Sequence, residues 1–316
     1  MVANSWQQTP AGYHIVGEGM EARAEIIDFW AMVFNPFSVE RLTHVWLGAF
    51  LAGTFLVLSV HAWYLLKNRH VDISKRAMRI AMPVALVCTL AQLWAGHASA
   101  DGVAHNQPAK LAALEGHFEE NASADMYLFG WVDKEKQETT GLAVPGGLSF
   151  LLHGDFDAPV PGLNSIPEDE RPSQVNAVFQ FYHLMVAIGM ALIGLSLLGS
   201  FLLWRGKLWN TRWMLHALVW AVLLPQMANQ FGWFAAEMGR QPWVVYKLLR
   251  TSDALSKAVQ ADQVLFSLVM FTIVYVLLFG LFIYLLNKKI KHGPDDSKLI
   301  DQRTRQSDIA NQLLPH

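Results

Sequence analysis

Five apolar runs, at about 42–66, 77–97, 176–204, 213–236 and 262–286, dominate the chain. Each is long enough to cross a hydrocarbon core of roughly 30 Å, which takes about 20 helical residues. Lipid offers no partner for a free N–H or C=O, so each run must satisfy its own backbone. The expected fold is therefore all-α: a polytopic membrane helix bundle with about five transmembrane helices and a long outer loop. The run at 213–236 is the least apolar, because Pro225, Gln226, Asn229 and Gln230 interrupt it. Polar residues in a span usually face the bundle interior, so this helix is expected to line a site.

Basic residues orient the runs. Lys67, Arg69, Lys75, Arg76 and Arg79 follow the first, Arg205, Lys207 and Arg212 the third, and Lys288, Lys289 and Lys291 the fifth. The positive-inside rule puts all three groups in the cytoplasm. The chain then divides into an outer segment 1–41, a helix pair 42–97, an outer loop 98–175, a helical unit 176–287 and a cytoplasmic tail 288–316. Within the loop, the stretch from Pro108 to Glu120 reads as a short amphipathic helix with proline near its start. Pro145, Gly146, Gly147, Pro159, Pro161, Gly162, Pro167 and Pro172 predict mostly irregular structure after it. The charged, aromatic-poor tail from His292 onward is expected to be disordered. No internal repeat is visible, and the polar N-terminus lacks the apolar stretch of a signal peptide. A net charge of -2 argues against a nucleic-acid partner, and a lone Cys88 excludes an intrachain disulfide or a Cys-rich metal site held by this chain alone.

The residues richest in chemistry close the fourth run: Gly232-Trp233-Phe234-Ala235-Ala236-Glu237-Met238-Gly239-Arg240-Gln241-Pro242-Trp243. A carboxylate and a guanidinium at a membrane helix end are costly and point to function. Arg240 offers a planar fork suited to a carboxylate or a cofactor propionate. No tightly spaced metal motif occurs, so a metal would be held between helices. His61 and His216 fall near the inner face. One layer near the outer face gathers His44, His97, His183, Met185, Trp233, Glu237 and Arg240. Such a layer suits a haem with His or His/Met axial ligands. Position alone leaves His44/Met185, His44/His183 and His44/His97 open. His183 and Met185 are two apart and face different directions, so at most one of them meets a given iron.

The GWxxxExGRQPW wording resembles the signature of subunit I of the cytochrome bd quinol oxidases, and the resemblance runs along essentially the whole chain. Ala3-Asn4-Ser5-Trp6-Gln7-Gln8-Thr9-Pro10-Ala11-Gly12 resembles the outer loop after that subunit's fourth helix, and Asn35-Pro36 with His44 the start of its fifth. Ala62-Trp63-Tyr64-Leu65-Leu66-Lys67 resembles the end of the fifth helix, Lys110-Leu111-Ala112-Ala113-Leu114-Glu115 the quinol-loop motif, and Met185-Val186-Ala187-Ile188-Gly189 the methionine of the seventh helix. The resemblance implies His44 and Met185 as axial ligands of low-spin haem b558. It implies Glu237 as an axial ligand at the high-spin pair, haem b595 and haem d (or a b-type substitute), and Trp233 between haem centres. It links Lys110 and Glu115 to oxidation of a quinol at the periplasmic side. By residue type alone these two would be solvated charges, and at five apart they are no helical ion pair.

The implied activity is that of a quinol:oxygen oxidoreductase of a bacterial inner membrane, which feeds the proton gradient without pumping. The implied partners are membrane lipids, a second subunit and a small third one. The family's subunit I has about nine spans, so its first four are absent here. A truncated reading frame, a misplaced start or a split subunit is expected, with the missing helices on the full-length chain or a separate polypeptide. His183 stands where many members carry an arginine, so its contact with a propionate is expected to be weaker or pH-dependent. A diverged b-type cytochrome and a haem-free transporter are the rival readings.

Overall fold

The computed structural model describes residues 1–17, 22–256 and 258–294. A short helix α1 (Val2–Gln8), a hairpin of β1 (Tyr13–Val16) with β2 (Arg23–Ile26), and α2 (Phe29–Val33) lead into the first long helix, α3 (Ser38–Leu66). Helix α4 (Val71–Asn106) returns beside it and hands over to α5 (Pro108–Glu115). The loop continues through β3 (Asn121–Ala122), β4 (Met126–Asp133), β5 (Glu138–Val144), α6 (Gly147–His153) and β6 (Pro159–Val160). Then come α7 (Val175–Trp204), α8 (Arg212–Trp220), α9 (Leu223–Gly239), β7 (Trp243–Val245), β8 (Leu249–Arg250) and α10 (Ala261–His292). The strands form antiparallel two-stranded ribbons, β1 with β2, β3 with β6, β4 with β5 and β7 with β8.

Four of the expected spans are single helices long and apolar enough to cross a membrane: α3, α4, α7 and α10. The run at 213–236 is not one helix but two, α8 and α9, joined through Ala221 and Val222 in α-region dihedrals. Pro225 supplies the reason. It has no N–H to give to the carbonyl four residues earlier, and its ring crowds that carbonyl. That carbonyl belongs to Ala221, where the helix breaks. Helix α4 runs past position 97 to Asn106, nine residues beyond the expected end, and carries Pro83 within it.

The loop also departs from expectation. Its second half holds β5 and α6, and β4 pairs with β5 from Met126 to Val144. The free edge of this hairpin is capped by side chains of α7. Gln180 donates to the Gly130 carbonyl at 2.7 Å, the Val132 N–H donates to Asn176 Oδ1 at 3.1 Å, and His183 Nε2 lies 2.7 Å from the Tyr127 carbonyl. Positions 176, 180 and 183 share one helix face. An edge strand needs such cover, and here it comes from side chains distant in sequence. The expected amphipathic helix forms as α5, but Lys110 to Glu115 are all buried, so it has no solvated face over those residues.

Two cores stack along the bundle. One, at the end nearest the loop, packs Phe37, Val103, Leu111, Leu148, Val178 and Phe179. The other packs Phe55, Leu58, Met78, Met82, Met214 and Leu218 among α3, α4, α7 and α8. Helix α10 has no buried residue and meets the body near its C-terminus, where Tyr64 and Arg69 donate to the carbonyls of Ile290 and Lys291. The charged stretch beyond position 294 lies outside the described residues.

Candidate functional site

The site is assembled where α1, the start of α3, α5 and the end of α9 converge. Helix α1 presents Asn4, Gln7 and Gln8 on one face, as their spacing allows. Asn4 Nδ2 donates to Glu237 Oε1 at 3.0 Å, Arg240 Nη1 donates to Gln7 Oε1 at 3.0 Å, and Lys110 Nζ donates to Gln8 Oε1 at 2.7 Å. Gln107 donates to the Gln8 carbonyl at 3.0 Å. The chain before α3 is fixed to the same helix, because Asn35 Oδ1 accepts from Ser5 and Thr9 hydroxyls at 2.8 and 2.9 Å. Sequence reasoning missed Asn4, Gln7 and Gln8 as site residues. Their signal was present, since they belong to the N-terminal motif that carries the family resemblance.

Glu237 and Arg240, one turn apart on α9, form an ion pair at 2.8 Å. Arg240 also donates to the Val244 carbonyl at 3.3 Å, while its Nε is buried without a partner. Lys110 is only 5% exposed, and its stem crosses α9 at Gly239, where a Cβ would sit 3.2 Å from Lys110 Cγ. Burial pushes the Lys110 ammonium well below its usual range, with Arg41 and Arg240 adding to the effect and Glu237 opposing it. Glu115 is 2% exposed, and burial pushes its carboxyl up to about 7, against a hydrogen bond from Tyr182. Gly116, at φ +63°, closes α5 directly after it, a conformation that favours glycine.

His44 lies two turns into α3 with its ring against Gln92 Nε2, 3.1 Å from Nε2 and 3.2 Å from Nδ1. One turn further along α3, Gly48 abuts Asn229 of α9, and three residues on along α9 Gly232 abuts the Met185 sulfur. Helices α3 and α7 thus reach neighbouring positions of one α9 face, bringing His44 and Met185 to the same level. Trp233 is 36% exposed, one turn before Glu237. His97 is exposed, and His183 stacks on Phe179 with both ring nitrogens taken by carbonyls, those of Phe179 and Tyr127. Neither nitrogen of His183 is left for an iron or a propionate. Of the expected layer, the fold gathers Glu237, Arg240 and Lys110 into one cluster, sets His44 and Met185 beside it, and turns His97 and His183 elsewhere. No group of three or more His, Cys, Asp or Glu with metal-binding geometry occurs among the described residues.

These residues fit a haem. Side-chain bulk is absent beside both candidate ligands: an ideal Cβ on Gly96 would lie 3.8 Å from His44 Cε1, and one on Gly232 only 2.8 Å from the Met185 sulfur. Unpartnered buried guanidinium nitrogens on Arg41 and Arg240 are suited to acidic groups on a ligand.

The sequence profile of the family described as cytochrome bd terminal oxidase subunit I matches residues 1–294. The chain is 32% identical over 305 residues to cytochrome bd ubiquinol oxidase subunit 1 of Bacillus subtilis, covering 93% of this chain and 64% of that protein. It is 28% identical over 358 residues to cytochrome bd-II ubiquinol oxidase subunit 1 of Escherichia coli, covering 92% and 69%. The solved bd oxidase structure from Geobacillus thermodenitrificans superposes with a TM-score of 0.83 at 30% identity, over 93% of this chain and 66% of the other. The chain therefore spans about two thirds of the length of these relatives.

Proposed function

The chain belongs to the cytochrome bd terminal oxidase subunit I family, and from that premise we propose that it forms the quinol-oxidising, low-spin haem part of such an oxidase. The relatives' names supply the reaction class, oxidation of a quinol. The observation that carries the reading is the burial of Lys110 and Glu115 on α5. Lys110 joins the Glu237–Arg240 pair, beside the level of His44 and Met185. A solvated charged helix would bury neither.

Oxidising a quinol removes two electrons and two protons. Glu115, poised at about 7, accepts one of those protons near neutral pH, where a general base is most effective. Its Oε2 is buried without a partner and so is available to a substrate hydroxyl. Lys110, held by Gln8, orients the ring oxygen on the other side. His44 and Met185 are the residues that would hold haem b558, and Glu237 would serve the high-spin pair, haems b595 and d. Low-spin haem supplies a one-electron acceptor when bound. Dioxygen reduction is assigned to the assembly with subunit II, and the loop to the periplasmic face of the inner membrane.

The test is the reduced-minus-oxidised spectrum of the assembled protein. His44→Ala and Met185→Ala should each abolish the low-spin b signal, and Glu115→Gln should lower quinol oxidation roughly 100-fold or more while leaving that signal intact. A full low-spin signal in both ligand variants would overturn the axial assignment.

A further inference from the structure

One buried charge is used by none of these roles. Arg41 is 9% exposed, on the first turn of α3, and its guanidinium makes no hydrogen bond among the described residues. Nη1 is fully buried, and the group rests on the Phe37 ring at 5.6 Å. Its charge acts on Glu237, Arg240 and Lys110. Around this point the fold therefore buries three cations, Arg41, Lys110 and Arg240, against one carboxylate, Glu237. That carboxylate is already engaged by Arg240 and Asn4, and Lys110 is engaged by Gln8.

A guanidinium has five donors and stays charged at any relevant pH. Burying it unpaired is expensive, and such groups are kept where an anion completes them. The missing partner must carry negative charge and match a planar fork, which describes a carboxylate. Arg41 precedes His44 by three residues and so lies on the same face of α3. We propose that Arg41 is the anchor for a propionate carboxylate of the haem held by His44, with Lys110 and Arg240 supplying the surrounding positive field. The inference rests on the haem-binding reading above. It adds a residue and a charge-pairing role that the motifs do not contain.

The test compares haem with haem dimethyl ester, whose propionates are blocked, in reconstitution of the detergent-purified apoprotein. Wild type should retain haem at least tenfold better than the ester. Arg41→Gln should lose most of that discrimination and shift the low-spin midpoint potential to more negative values, because a cation near the propionates favours the reduced state least when removed. Arg41→Lys, which keeps the charge and the bulk, should fall between the two, and it serves as the test if the glutamine variant does not fold. Undiminished discrimination and an unchanged potential in whichever variant is read would overturn the proposal. Loss of discrimination with a free carboxylate such as acetate restoring the potential would overturn it too, by showing that the anion is not the haem's own. Failure of wild type to bind haem at all would instead sink the haem-binding reading, a distinguishable result.

Discussion

The two ends of the bundle bury opposite chemistries. Away from the loop, the core of Phe55, Leu58, Met78, Met82 and Met214 holds no charged residue. Its buried hydroxyls settle on nearby backbone, as when Ser59 donates to the Val219 carbonyl at 2.8 Å and Ser196 to that of Leu192 at 2.8 Å. At the loop end, Gln8, Asn35, Arg41, Gln107, Lys110 and Glu115 are all buried. There the polar groups reach across the chain, with α1 bonded to α5 and α9. Packing in the first region rewards shape, and any apolar residue of similar volume serves. The second region pays for charge burial with specific partners and leaves a few donors and acceptors unmatched, which is the mark of a place built to receive something else.

That contrast can be broken by measurement. The largest effect is expected for Phe55→Ala, which empties a fully buried position in the apolar core. It should cost about 3–5 kcal/mol in denaturant unfolding, and equally at pH 5 and pH 7, because no titratable group lies in that core. The polar end should behave otherwise. Glu115 has a folded-state pKa of about 7 against a model value of 4.5, so the folded protein holds its proton more tightly than the unfolded chain. A raised carboxyl contributes its stability fully below the unfolded pKa and loses it as pH rises to the folded one. Stability should fall by about 3 kcal/mol over that window, and Glu115→Gln should flatten the fall. A wild-type curve flat over the window would show that Glu115 is not dry. Next in size is Gln180→Ala, which removes the bond from α7 to the hairpin at Gly130. It should cost about 1 kcal/mol and speed hydrogen exchange along β4 without changing haem content. Smallest is Arg250→Ala at the solvent-exposed pair with Asp169, expected to change stability by less than about 1 kcal/mol.

Much of this was legible along the chain, and the failures have causes. Helices α3, α7 and α10 could be drawn from hydropathy, because a membrane helix satisfies itself locally. Pro225 was visible as an interruption, yet its result, two helices in place of one, depends on how neighbours hold the freed Ala221 carbonyl. The hairpin of β4 and β5 escaped notice because Asn176, Gln180 and His183, which cap its edge, follow it by some 40 to 50 positions. His183 was read as part of the ligand layer by depth, and depth cannot tell which way an imidazole turns.

Sequence by itself determined the helical class, the long runs and the family to which the chain belongs, since apolar length and a long motif are local properties. Tertiary structure decided which charges are dry. Lys110 and Arg41 read alone are ordinary surface cations, and they become costly groups in need of partners only when α1, α3, α5 and α9 close over them. Solvation is a property of the whole packing, and no stretch of residues carries it alone.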